Sequence, residues 1–565
     1  MAKFTFLGIG IKEKRFSLLY VCSVTFFVLF GNGYLTKELL AQQQLKDFTY
    51  WANLCNLFNN EKKYPEALAA CDQAIALKPN QPIVWTNRIE ALLKLKKYPE
   101  ALASADIALR LKSNYALALA DRCRALSELG RSEEAIASCD KAVAGDGNWG
   151  KNTAALAWYN RGLAQAKLAQ YKEAIASFDQ AIELNPTYSL ALVERCQTLY
   201  SMNQYEDALI ACDKALQGNG EWEDVTPAVG WDIRGRILRN LGQYTEAIAS
   251  FNKGLAIKPT DPAIWTDHGE VLHLLGKYSE ALTSYEWALK INPKYSLALA
   301  NQGATLNRIG NYEKALAACD SAIQGDGNWA DKSPVIAWDQ RGSALAGLKR
   351  YEEALASHDR AIALQSNYAE AWNNRSVTLW FMGSHQDALK SSASAVALNP
   401  TYSQAWYNRG RILQTLRQDV DAVIAYDRAI NSYGNLSDKL PLADMWANRS
   451  VVLWRLQRYR EALASTNQAI DLNPASFQAW YNQGIILLAL KQYNQAVSAY
   501  DQAISINPND ANLFAAKGLA LIKIKRLPEA LATFEQALKI DPNNLLAQRS
   551  RDAVMQLQQN NQSQP

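Results

Sequence analysis

Histidine is the scarcest chemistry-bearing residue of this chain, with four in 565 positions beside eight cysteines. That leaves little material for metal ligation or imidazole acid–base work. A surplus of one charge is missing too. Lys and Arg number 59 against 55 Asp and Glu, a net charge of +4, which is too small for a nucleic-acid binder that works by bulk electrostatics. There is no Gly-rich phosphate loop, no nucleophile elbow and no HExxH pair, and His268 and His273 fall on different helix faces. Catalysis, cofactors and metals are therefore not expected. Proline is sparse at 17. What is present is an ordinary folded composition, 49% hydrophobic and 20% charged, with aromatics in excess: 16 Trp and 26 Tyr.

One long apolar run opens the chain. Residues 16–36, FSLLYVCSVTFFVLFGNGYLT, carry no charge and follow Lys3, Lys12, Lys14 and Arg15. About 20 residues of helix span a bilayer core, and the positive flank favours a cytoplasmic N-terminus. The expectation is residues 1–15 in the cytoplasm, 16–36 as a transmembrane signal-anchor helix and 37–47 as a linker. The remainder would then lie on the exported, periplasmic or lumenal, side. A cleaved secretory signal, with Gly31-Asn32-Gly33 as its weak cleavage site, is the alternative.

The rest is one unit written fourteen times. Trp51 and Trp85 are 34 residues apart, as are Trp231 and Trp265, Trp338 and Trp372, and Trp446 and Trp480. Leu119, Leu192, Leu299 and Phe514 stand in for this anchor in four units. An Ala follows sixteen residues after every anchor, from Ala67 to Ala530, and another at twenty-three except where Gly254 stands. The pattern describes two short amphipathic helices per unit. Gly162 and Ala174 mark close approach, Trp158, Tyr171 and Phe178 fill the space around it, and Pro186 stops the second helix.

These residues resemble the tetratricopeptide repeat over positions 48–542, in units starting near 48, 82, 116, 155, 189, 228, 262, 296, 335, 369, 403, 443, 477 and 511. The resemblance implies an all-α fold, an α-solenoid superhelix of about fourteen stacked helix–turn–helix units. Its inner groove would bind peptide or protein partners. Residues 543–556 are expected as a capping helix and 557–565 as a disordered tail. The function expected is a non-catalytic, membrane-tethered protein-interaction scaffold. The alternatives are a substrate-recruiting arm for a separately encoded glycosyltransferase or envelope assembly machine, and a structural spacer.

Three units carry near-identical insertions, Gly145–Trp149, Gly218–Trp222 and Gly325–Trp329, with a degraded copy at 432–436. Their Trp either folds back over the helix ends or faces a partner. Asp146 and Asp326 lack the alternating oxygens of a calcium loop.

Three columns of residues hold the candidate sites. Three residues after the anchor stands Arg, and twenty-one after it Asp. Each stands in nine units; Asp501 precedes Lys517, Arg409 follows Ala393, and every other Asp precedes an Arg in the next unit: Asp72 and Arg88, Asp106 and Arg122, Asp140 and Arg161, Asp179 and Arg195, Asp213 and Arg234. Asp320 and Arg341, Asp359 and Arg375, and Asp427 and Arg449 continue the series. The pairing predicts inter-repeat bridges that set register; a row of Arg facing an anionic ligand is the alternative.

Two after the anchor stands Asn in eight units: Asn53, Asn87, Asn160, Asn301, Asn374, Asn408, Asn448 and Asn482. A side-chain amide both donates and accepts, which suits a peptide backbone. The column resembles the asparagine ladder of the eukaryotic O-linked N-acetylglucosamine transferase. It is continuous only from Asn374 to Asn482, which favours that stretch as the groove. Otherwise the amides bond neighbouring turns. The family's clamp for chaperone tails is not expected, since only Asn56 meets one of its two requirements. Finally, Cys55 and Cys71, Cys123 and Cys139, and Cys196 and Cys212 are each 16 apart. They are either disulfides within a helix pair or small core hydrophobes copied by duplication.

Overall fold

The computed structural model describes residues 47–562 except 151, 219, 221, 223–225, 331 and 435–439. Among these there are 29 helices and no strand. The chain divides into two compact units at Pro259 and Thr260. The N-terminal unit holds twelve described helices, from Phe48–Asn60 to Tyr244–Ile257, and the C-terminal unit seventeen, from Pro262–Leu274 to Leu545–Gln562. Within each, a repeat's first helix pairs with its second, which packs on the first helix of the following repeat.

The turn between paired helices explains why they pair so tightly. One residue per repeat takes the left-handed conformation there, Gly in five (Gly130, Gly242, Gly276, Gly310 and Gly383) and residues such as Lys62 and Lys96 elsewhere. It ends the first helix with reversed hydrogen bonds, as when Lys63 N donates to Phe58 O at 2.8 Å. The Ala sixteen after the anchor is fully buried in all fourteen repeats, from Ala67 to Ala530; a larger side chain there would part the helices. Between repeats the anchor does a second job. The indole N–H of Trp85 donates to Pro79 O at 2.8 Å, and Trp406 and Trp480 do the same to Pro400 and Pro474. Gln548 copies that bond to Pro542 from the terminal helix.

The crossing point of each pair is closed in one of a few ways. In seven repeats a ring lies on a Gly: a Cβ at Gly162 would sit 2.5 Å from Phe178, and one at Gly484 2.5 Å from Tyr500. The same two positions carry disulfides in three repeats, Cys55–Cys71, Cys123–Cys139 and Cys196–Cys212, with Cα separations of 5.0, 5.4 and 5.3 Å. The crossing that seats a ring on Gly thus brings the two Cα atoms within bonding range, rather than a turn apart as simple helix geometry suggests. Cys319 is free and buried against Gly303, and burial pushes its thiol up to about 12.

Two expectations are corrected. No helix among the described residues is long and apolar enough to cross a membrane, so the single-pass placement, with its cytoplasmic N-terminus and exported array, is not retained. The described helices are 12–18 residues long and carry polar faces. Residues 1–46, which held the expected N-terminus, spanning helix and most of the linker, lie outside the described residues. At the other end the capping helix does not stop at 556. It runs Leu545–Gln562, since neither Gly nor Pro interrupts it, and buries Ala547 and Val554 fully. Residues 563–565 lie outside the described residues.

Candidate peptide-binding face

The Arg column is engaged internally. Arg88 Nε lies 2.7 Å from Asp72 Oδ1, Arg122 2.8 Å from Asp106, and Arg161 2.7 Å from Asp140. The distances are 2.6 Å for Arg195–Asp179 and Arg234–Asp213, and 2.7 Å for Arg341–Asp320 and Arg375–Asp359. Arg449–Asp427 closes at 2.6 Å, and Lys517–Asp501 repeats the contact with an ammonium. Sequence reasoning missed the third partner. A Ser nineteen after the anchor accepts from the same guanidinium in six repeats, as Ser177 does from Arg161 Nη1 at 2.7 Å and Ser465 from Arg449 at 2.6 Å. The ring of Trp158 lies beneath Arg161, 5.5 Å from its centroid. Two donor groups and one face of such an Arg are thus claimed by its own repeat or the preceding one.

The carboxylates of these bridges remain about half exposed, so each bond is screened. Arg161→Leu is expected to cost about 1–2 kcal/mol, chiefly through the stranded Ser177 and Asp140 groups. Arg161→Lys should recover only part, because an ammonium cannot span both partners in one plane. Thermal melts of the two variants measure this.

The insertion loops fold back. Asp146 accepts from Ala116 N and Asn148 N, both at 3.0 Å, and meets Lys112 at 2.5 Å. Burial works upward on its carboxyl, but these donors outweigh it and hold it below the usual carboxylate range. Trp149 packs on Leu119, Ala120 and Ala142, and Trp329 on the matching Leu299, Ala300 and Ala322. Trp222 is buried beside Leu192 and Ile233. The Trp residues close over helix ends. In the second and fourth loops 219, 221 and 435–436 lie outside the described residues.

The Asn column divides. Asn160, Asn301, Asn408 and Asn482 are 1, 8, 7 and 6% exposed. Asn160 Nδ2 donates to Ala120 O at 3.2 Å and Asn408 Nδ2 to Asn373 Oδ1 at 2.9 Å. Asn374 Nδ2 donates to both Asp339 oxygens, Asn448 Nδ2 to Tyr407 OH at 2.9 Å, and Asn482 Oδ1 accepts from Gln478. The stretch from Asn374 to Asn482, favoured from its continuity, therefore turns its amides toward the protein. Their partners are polar groups one residue after the anchor of the preceding repeat, Asp339 for Asn374, Asn373 for Asn408 and Tyr407 for Asn448.

At the other end of the chain the column is open. Asn53 and Asn56, on helix Phe48–Asn60, and Asn87, on Pro82–Lys94, line a cavity of about 460 Å³. Leu117 and Asp121 of Ala116–Glu128 form its far wall, and Gly150 and Asn152 of the first insertion bound it. The side-chain amides of Asn53, Asn56 and Asn87 make no hydrogen bond among the described residues. Glu90, Lys94 and Arg124 add both signs of charge to the wall.

In the fifth repeat Glu194 takes the Asn place. Burial pushes its carboxyl up to about 7, and Lys167 pulls weakly the other way. A raised folded value means the fold holds the proton, so this stability is present below the ordinary 4.5 and is lost as pH rises through about 7. Glu194→Gln should match the wild type near pH 4 and exceed its stability by about 1–3 kcal/mol at pH 8, read by denaturant titration at both pH values.

Helix pairs stacked one on the next, with inter-repeat bridges and first helices lining a polar cavity, define a helical-repeat protein. The chain belongs to the tetratricopeptide repeat family. One Tetratricopeptide repeat profile matches residues 55–116, 86–152, 268–330, 377–436 and 448–511, about half of the chain. Others match 155–188, 235–276 and 487–551. No curated protein matches the chain. Among solved structures, the APC/C hetero-tetramer Cut9–Hcn1 is 16% identical with a TM-score of 0.52, covering 92% of this chain and 99% of that one; it shares the fold. YrrB, a TPR protein with an unusual peptide-binding site, is 20% identical at a TM-score of 0.31, over 34% of this chain and 97% of that one. A tetratricopeptide repeat protein from Parabacteroides merdae is 18% identical at 0.38, over 46% and 98%.

Proposed function

We propose that the protein is a non-catalytic interaction scaffold that takes an extended polypeptide segment into the cavity of its N-terminal repeats. The observation that carries this reading is the set of unengaged amides on Asn53, Asn56 and Asn87, facing one cavity from two adjacent first helices. A peptide backbone offers an N–H and a C=O at every residue, and an Asn side chain answers both. Such a site reads shape and backbone more than side-chain identity. The first insertion bounds the cavity, so the segment enters beside Asn53 and meets Asn152 at its far end.

The Arg–Asp bridges, in this reading, hold the register on which the cavity depends and engage eight of the nine Arg in that column, while Arg409 donates to Leu389 O and Ser392 instead. The glycosyltransferase-arm reading loses its main support, because most of the amides it relies on are turned inward. The test is an array of end-blocked peptides probed with labelled full-length protein. Asn53→Leu combined with Asn87→Leu should weaken retention at least about tenfold across the peptides that wild type holds. Retention equal to wild type removes the cavity as the site.

A further inference from the structure

The C-terminal unit has a second cavity with different chemistry. It measures about 290 Å³ and is lined by Trp380, Arg411, Gln414, Arg417, Asn448 and Arg455. Three successive first helices supply its walls, Ala369–Phe381, Ser403–Thr415 and Leu440–Arg455, with Arg417 on the turn that follows the second of these.

Two of its acceptors, one indole N–H and one side-chain amide are spent, but most of its guanidinium donors are not. Gln414 Oε1 accepts from Tyr426 OH at 2.6 Å, and Thr415 Oγ1 accepts from Trp380 Nε1 at 3.1 Å. Asn448 Nδ2 is taken by Tyr407 OH and Asp444 O. Arg455 Nη2 bonds Asp419 Oδ1 and Gln414 O, but its Nε is buried without a partner. Arg411 stacks on Trp380, 4.5 Å from the ring centroid, and lies 5.8 Å from that of Tyr407. Among the described residues it forms no ion pair or hydrogen bond through its guanidinium, and Arg417 forms none either. The nearest acids do not fill the site. Asp419 is committed to Arg455, and Asp444 interacts with Arg411 only at longer range, with burial raising its carboxyl.

An Arg held flat on an aromatic keeps its N–H edge free, in a plane that matches the two oxygens of a carboxylate. The covered face of Trp380 is closed to stacking by a base or sugar ring. We infer that this cavity binds side-chain carboxylates of an acidic peptide segment, with Arg411 as the primary ligand and Arg417 and Arg455 as supporting charge. The inference stands apart from the amide-lined cavity, which lies in the other compact unit.

The test uses the full chain carrying Asn53→Leu and Asn87→Leu, which silence the backbone site of the N-terminal cavity, and an end-blocked, fluorescently labelled octaglutamate, with octaglutamine and a free-ended octaglutamine as controls, read by anisotropy. Octaglutamate should bind, more weakly as salt rises. In that background Arg411→Gln and Arg417→Gln should each weaken it by about tenfold, and Arg411→Lys by less. Thermal melts confirm that each variant is folded, and Arg417, exposed on its turn, guards against a purely structural effect of Arg411. Equal binding of octaglutamate and octaglutamine overturns the inference, as does binding that needs only a free C-terminus. So does a folded Arg411→Gln that binds as its parent does.

Discussion

Reduction with dithiothreitol is expected to loosen the N-terminal repeats by an amount on the order of 10 °C in melting temperature, and to leave the C-terminal unit unchanged. All three disulfides lie before residue 260, and the one later cysteine, Cys319, is a free thiol. Each bond joins residues 16 apart within one helix pair, and closing a loop of that size restricts the unfolded chain by about 3 kcal/mol. A shift of a few degrees accompanies each kcal/mol in a unit of this size. Repeat stacks open locally, so amide hydrogen exchange on the full chain places the effect. Protection should fall in helices Phe48–Asn60 to Tyr205–Leu216 and persist beyond Pro262. Loss spread evenly along the chain would contradict this.

The second large effect is expected at the ninth repeat, where the ring on Gly is a histidine. His358 and Asp339 are both fully buried, with Nδ1 and Oδ1 3.0 Å apart, and a Cβ on Gly342 would sit 2.5 Å from the imidazole. Asn374 Nδ2 donates to both oxygens of Asp339, and Gln340 Nε2 lies 3.4 Å from one of them. Asp339→Ala leaves the buried ring without its partner and the Asn374 amide with only Ser343 at 3.5 Å, which should cost about 3 kcal/mol by denaturant titration. The fourth repeat shows the apolar answer at the same two positions, with Tyr159 and Phe178 6.2 Å apart. Asp339→Tyr combined with His358→Phe should therefore recover most of the loss, while either change alone should not. Equal stability of the single Asp339→Ala variant and wild type would show that the polar pair contributes nothing.

Much of this architecture was legible from spacing. The anchor period places the helix pairs because Ala at two fixed positions leaves room for only one crossing, and the offset of Asp72 from Arg88 names the repeat each Arg reaches. Other features depend on direction as well as spacing. The Asn column has a single register, yet Asn408 turns toward Asn373 while Asn53 faces open space, and the difference lies in neighbours from adjacent repeats. The Ser that completes six of the Arg bridges was overlooked because a single hydroxyl is ordinary in a helix. The cavity around Arg411 was also hidden. Its residues come from three repeats, and its three Arg stand at three different positions in the period, so only the fold brings them together.

The central claim is that the N-terminal cavity holds a polypeptide by its backbone. The most direct measurement is isothermal titration of the full chain with an array-selected peptide and with the same peptide N-methylated at alternate residues. Methylation removes backbone donors and leaves every side chain in place. The account predicts that methylation weakens binding by at least about tenfold, while shuffling the side chains changes it little. Binding that survives methylation but is lost on shuffling would contradict it.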